Sequence, residues 1–132
     1  MTIKQQGGIF GRNPTLNDVS VERLTLQGVA NDDEVVISSG AISINSSAIS
    51  VDTEASASSD DLDTINGGAV GQTLILRASN NSRTVVVKDG TGNIELAGDF
   101  SLTQIRDCLF LLCIANSGTY RWIEISRSDN RV

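Results

Sequence analysis

The chain reads as all-β: an antiparallel β-sandwich or jelly-roll-like module with an extended N-terminal arm. Three features of its 132 residues predict this. Apolar side chains return at every second position in short runs bounded by Gly, Ser, Asn and Asp, the pattern of half-buried strands. No stretch keeps a helical repeat for three turns. The opening residues fit neither period.

That opening, Met1 to Pro14, keeps Ile3, Ile9 and Phe10 but interleaves them with Gly7, Gly8, Gly11 and Arg12 before ending at Pro14. Glycine favours no single backbone state and proline removes a donor, so no regular element is expected here. Apolar side chains on such a segment need another surface to bury them. Residues 1–18 therefore read as a docking arm, and residues 19–132 as a β-rich domain.

Within that domain the pairs Val19/Val21, Leu24/Leu26, Val35/Ile37, Ile42/Ile44 and Ile49/Val51 each place two apolar residues on one strand face. The stretch from Ser38 to Val51 is rich in serine and alanine, and strands of this kind bury little per chain. One expectation is that residues 19–51 supply inter-chain contacts through Ile42, Ile44, Ile49 and Val51, with thin apolar faces meeting at an axis. A surface meander of a single chain would read the same way.

Residues 52–70 form an acidic connector. Ser59 or Asp60 can cap a single helical turn carrying Leu62 and Ile65, ended by Asn66 and Gly67. Asp60, Asp61 and Asp63 could instead hold calcium, but their spacing matches no EF-hand loop, and the capped turn is the preferred reading. No metal or cofactor is expected. Residues 71–132 then form an antiparallel module, with turns at 78–83, 89–92 and 116–119 made of residues that tolerate positive φ.

Composition excludes several functions. A net charge of -6 opposes association with phosphate backbones, so nucleic acid is not an expected partner. The run Leu109 to Ala115 is far shorter than the roughly 20 residues of a membrane span, and the N-terminus has no apolar signal region. Membrane insertion is not expected, and synthesis in a cytoplasm is. The sequence contains no histidine, which removes Ser/His/Asp and Cys/His nucleophile arrangements and, with two cysteines, any ordinary zinc site. Carboxylate pairs such as Asp60/Asp61 or Asp52/Glu54 read as surface charges rather than a glycosidase pair. Cys108 and Cys113 fall on opposite strand faces and read as free thiols. Asn45 to Ser47 and Asn80 to Ser82 match glycosylation sequons but read as turn chemistry. Arg121 and Trp122 could form a sugar platform, although a tryptophan there reads first as core. With 4% aromatic residues the core is thin, and oligomerisation is expected on surface-to-volume grounds.

The block from Gln5 through Gly7, Gly8, Ile9, Phe10, Gly11, Arg12, Asn13 and Pro14 to Val21 resembles the N-terminal segment of tailed-phage virion proteins, especially tail-fibre-type proteins. Val51 to Glu54, Ser58 to Gly68, Leu74 to Ala78, Arg83 to Asn93 and Trp122 to Asn130 resemble a β module of similar phage proteins. The resemblance implies a non-enzymatic homotrimer in the virion, assembled in the bacterial cytoplasm. Ile9, Phe10 and Arg12 would anchor it to other virion proteins, of the tail, the baseplate or the capsid. Relative to such fibres the chain lacks an extended shaft and a large receptor-binding tip. Candidate adhesion loops lie at Asn80 and Asn81 and at Asn116 and Ser117, with nothing in the residues that specifies a host-surface glycan for them. The segment from Gln104 to Ile114 departs from this pattern, being more densely apolar than an alternating strand.

Overall fold

A computed structural model describes residues 16–28 and 34–130. The described residues form eleven strands: β1 (Glu34–Val36), β2 (Ala41–Ser43), β3 (Ala48–Asp52), β4 (Ser59–Leu62), β5 (Thr64–Asn66), β6 (Thr73–Ala78), β7 (Thr84–Val87), β8 (Ile94–Glu95), β9 (Phe100–Leu102), β10 (Cys108–Asn116) and β11 (Thr119–Ser128). The only helical piece among the described residues is a short 3-10 turn, Glu54–Ser56. The strands form a six-stranded sheet ordered β1-β3-β6-β10-β11-β8, a pair β2-β5, and a three-stranded sheet β4-β7-β9.

The all-β expectation holds, but the arrangement is a solenoid-like stack rather than specifically a sandwich or jelly roll. Pairs β1/β3, β3/β6, β2/β5 and β4/β7 are all parallel. Each pass of the chain lays its strands directly over those of the pass before, which forces parallel ladders without crossover helices. The last part reverses this habit. β9 pairs antiparallel with β7, β10 joins β6 antiparallel, and β10 and β11 form an antiparallel hairpin, while β8 pairs parallel with β11 and is the edge strand of the large sheet. Of the three turns expected to join antiparallel neighbours, only 116–119 does so. Residues 78–83 connect β6 to β7, which lie in different sheets, and 89–92 connect β7 to β8, likewise in different sheets.

The core lies between the three sheets. Alternation supplies it strand by strand: Leu74, Leu76 and Ala78 from β6, Val85 and Val87 from β7, Leu109, Leu111 and Cys113 from β10, with Trp122 of β11 wholly enclosed. Leu62 and Ile65 also enter it, so the segment read as an acidic connector carries two strands. The capped helical turn does not form there because β4 takes its backbone partners from β7, from Ser59 opposite Thr84 to Leu62 opposite Val87. Conversely, Val19/Val21 and Leu24/Leu26 do not make strands. Residues 16–26 take no regular structure, and Leu26 alone among these apolar residues is partly covered.

One ladder ends on a side chain. The Ile65 N–H donates to Asn93 Oδ1 at 2.9 Å, and Asn93 Nδ2 donates to the Ile65 carbonyl at 2.8 Å, so a carboxamide completes the outer edge of β5 where a strand would otherwise sit. Gly92 makes this approach feasible: a Cβ there would lie 2.1 Å from the Asp63 carbonyl oxygen. The Trp122 N–H donates to the Asn93 carbonyl at 2.8 Å, which ties this corner to β11.

Candidate functional site

The structure separates the residues that sequence reading had grouped. Ile3, Gly7, Gly8, Ile9, Phe10, Gly11, Arg12 and Pro14 of the arm lie outside the described residues. Ile42, Ile44, Ile49 and Val51, expected at inter-chain contacts, are 2%, 6%, 2% and 1% exposed within the single chain. Their burial is complete without a neighbour, because β2 and β3 are each covered by their own chain's later passes. A charge placed at Ile42 or Ile49 would therefore test folding, not assembly.

The candidate adhesion loops do not converge. Antiparallel pairing of β6 with β10 sets Arg77 opposite Cys108, so Asn80 and Asn81 sit near the start of β10, while Asn116 and Ser117 form the turn at its far end. Nine residues of strand separate them, about 30 Å at the usual rise. Asn80 and Asn81 are occupied locally, accepting from the Ser82 N–H at 2.7 Å and the Ile105 N–H at 3.0 Å. Trp122 is fully buried, which rules out its use as a sugar platform.

The carboxylates are also engaged. Asp60 accepts from the N–H groups of Glu54 and Asp61, and Asp63 from the Thr91 hydroxyl at 2.6 Å. No group of three or more potential metal-ligating side chains comes together among the described residues. Asp52 receives two parallel bonds from Arg83, at 2.7 and 2.6 Å, and one from the Thr53 N–H. Burial pushes its pKa up, but the Arg83 and Thr53 donors and the arginine charge outweigh that and hold it below the usual carboxylate value. Asp107, fully buried, accepts from the Thr103 N–H and hydroxyl, the Gln104 N–H and the Asn130 N–H, which pins the backbone just after β11 to the loop before β10. Glu124 and Arg127 pair at 2.6 and 2.7 Å across the bulge at Ile125, and Arg127 stacks 4.8 Å from the Phe100 ring centre. The arginine bonds keep Glu124 below its ordinary pKa, with the Ala97 N–H helping and burial opposing. These pairs fasten loops to strands.

A shallow open groove of about 430 Å³ runs between Glu95, Leu96 and Ala97 and Ile123, Glu124 and Ile125. Both of its carboxylates are paired, Glu124 with Arg127 and Glu95 with Arg121 at 3.6 Å. Burial pushes the Cys113 thiol up, and it pushes Cys108 up with the Asp107 charge adding and Arg77 opposing, so neither is set up as a thiolate nucleophile.

Among the described residues Ser79 Oγ is buried without a hydrogen-bond partner, and several large apolar side chains are left uncovered. Leu16, Val19, Val21 and Leu24 are 51%, 66%, 57% and 75% exposed. On the large sheet, Phe110, Leu112 and Ile114 of β10 face away from the core, with Ile75 opposite Phe110 and Ile123 opposite Leu112. Sequence reading flagged this strand as too densely apolar but had no way to place its second face. Compared with family models, with curated proteins and with solved structures, the chain matches none.

Proposed function

We propose that this chain is a non-enzymatic structural component of a tailed-phage virion, a short homotrimeric fibre or spike-type appendage of the tail or baseplate. In this reading its N-terminal arm anchors it to the particle and the β unit projects. The observation that carries the reading is the segment leading out of the arm. Residues 16–26 hold four apolar side chains in solvent without a strand or helix, as a tether meeting another surface would. They continue the block from Gln5 to Val21 that resembles phage tail-fibre-type proteins.

A second reading is a capsid decoration, or cement, trimer that stabilises the head by binding the major capsid protein. It draws on the described β unit, a stack only a few passes high that gives way to the antiparallel pairs β7/β9, β6/β10 and β10/β11 and so makes a knob rather than a shaft.

Quantitative mass spectrometry of purified virions tests both. A ratio of a few per hundred copies of the major capsid protein supports the tail or baseplate appendage, and a ratio between one to one and one to a few supports decoration. Absence from the particle overturns both. Deletion of residues 2–14 is expected to abolish incorporation while leaving the β unit folded; normal incorporation would remove the arm from the anchoring role.

A further inference from the structure

Strand β10 is apolar at both parities. Leu109, Leu111 and Cys113 enter the core, while Phe110, Leu112 and Ile114 form, with Ile75 and Ile123, a half-buried apolar patch on the outer side of the β6–β10–β11 sheet. Continuous apolar runs belong to strands covered on both faces, and the chain's own core covers only one. The same chain displays a second uncovered apolar surface, the irregular segment 16–26, whose Leu16, Val19, Val21 and Leu24 stand in solvent rather than on this patch.

We infer that the two surfaces meet between copies of this chain: residues 16–26 of one copy lie along the outer face of β6–β10–β11 of another. The lengths agree. Eleven extended residues reach about 35 Å, and the nine residues of β10 run about 30 Å. The extent agrees as well. In an exchange each copy gives its segment and receives another, which engages about twenty residues per copy, the number found in interfaces burying about 800 Å² per partner. The sheet patch packed against itself would engage far fewer. Neither contact uses the core residues Ile42, Ile44, Ile49 and Val51. This inference specifies the self-association in the function proposed above and does not depend on the virion part of it.

The test is sedimentation of the full-length chain at tens of micromolar, with Val21→Asp/Leu24→Asp and, separately, Leu112→Asp. The wild type is expected to be an oligomer and each variant a monomer with native circular dichroism and buried Trp122 fluorescence, association weakening at least 100-fold. The segment variant carries the test if Leu112→Asp misfolds, because Val21 and Leu24 are exposed in the single chain. Two chains, Val21→Cys and Leu112→Cys, each also bearing Cys108→Ser, are then mixed and oxidised; a mixed disulfide dimer is expected. A monomeric wild type, an oligomer indifferent to the segment variant, or absence of the mixed disulfide would each overturn the inference. An oligomer with these properties that is missing from particles would sink the virion reading and leave this contact standing.

Discussion

Asn93→Ala should destabilise the fold more than its half-buried position suggests. Ile65 is 2% exposed, and its outward N–H and carbonyl are satisfied by the Asn93 side chain alone, at 2.9 and 2.8 Å. A hydrogen bond contributes about 1 kcal/mol net, and a buried group left without a partner costs about 1–3 kcal/mol. Two groups are orphaned and water reaches this edge only in part, so about 2–4 kcal/mol is expected. Urea denaturation followed by Trp122 fluorescence should register this as a fall in midpoint of about 1–2 M, taking a urea slope of about 2 kcal/mol/M.

The variant Asn93→Asp separates the hydrogen-bond argument from simple loss of packing. A carboxylate still accepts from the Ile65 N–H but sets a negative oxygen against the Ile65 carbonyl, where the amide had donated. Its folded-state pKa should therefore rise above the unfolded value. The destabilisation is then complete above the folded pKa and disappears below the unfolded one, so the variant should approach the wild type as pH falls from 7 towards about 4. If Asn93→Ala lies within about 0.5 kcal/mol of the wild type, the ladder-completing role is refuted and the edge is simply solvated.

Three further outcomes test other joints of the fold. Ala55 and Ser56 both take positive φ, 52° and 57°, so Ala55→Gly should leave stability unchanged or raise it by up to about 1 kcal/mol, whereas Ala55→Val should lower it, both by thermal melting. Gly68→Ala would put a Cβ 2.3 Å from the ring of the enclosed Trp122, and about 1–3 kcal/mol of overpacking should appear with an altered near-ultraviolet spectrum. Asp52 has a folded-state pKa below its unfolded value, so the stability it contributes is present above about pH 4 and is lost as pH falls through the folded pKa; Asp52→Asn should flatten that acid limb in a pH series of melts.

The sequence made strand positions legible, since β1, β2, β3, β6, β7, β8, β9 and β11 coincide with runs of period-two alternation and β10 with the apolar run from Leu109 to Ala115. It hid the pairing. Stacked partners such as Glu34 and Ser50, Ala41 and Thr64, and Ala48 and Ile75 are unequally spaced along the chain, so no repeat marks the passes. β4 and β5 were missed because each gives the core a single large apolar side chain, Leu62 or Ile65, among acids that signal a connector. Val19/Val21 show the reverse error, alternation with no strand beside it to pair with. Asn93 carries no sequence signal, since an asparagine after a glycine reads as a turn.

The scarcity of aromatic residues looked like a core too thin to stand alone, and it was the general reason to expect burial from neighbours. The stack gives it another cause. Where strands repeat directly above one another between facing sheets, the space at each level suits Ile, Val and Leu, and the ladders add hydrogen bonds with every pass. The large rings sit where that repetition ends: Phe100 on the antiparallel β9 and Trp122 on β11, opposite Cys113 and against Gly68. Because the single chain already encloses Ile42, Ile49 and Val51, self-association cannot be a remedy for a deficient core. Any self-association would have to use surface that the core leaves over, and the outer face of β10, apolar at positions where a solvated sheet would be polar, is such a surface.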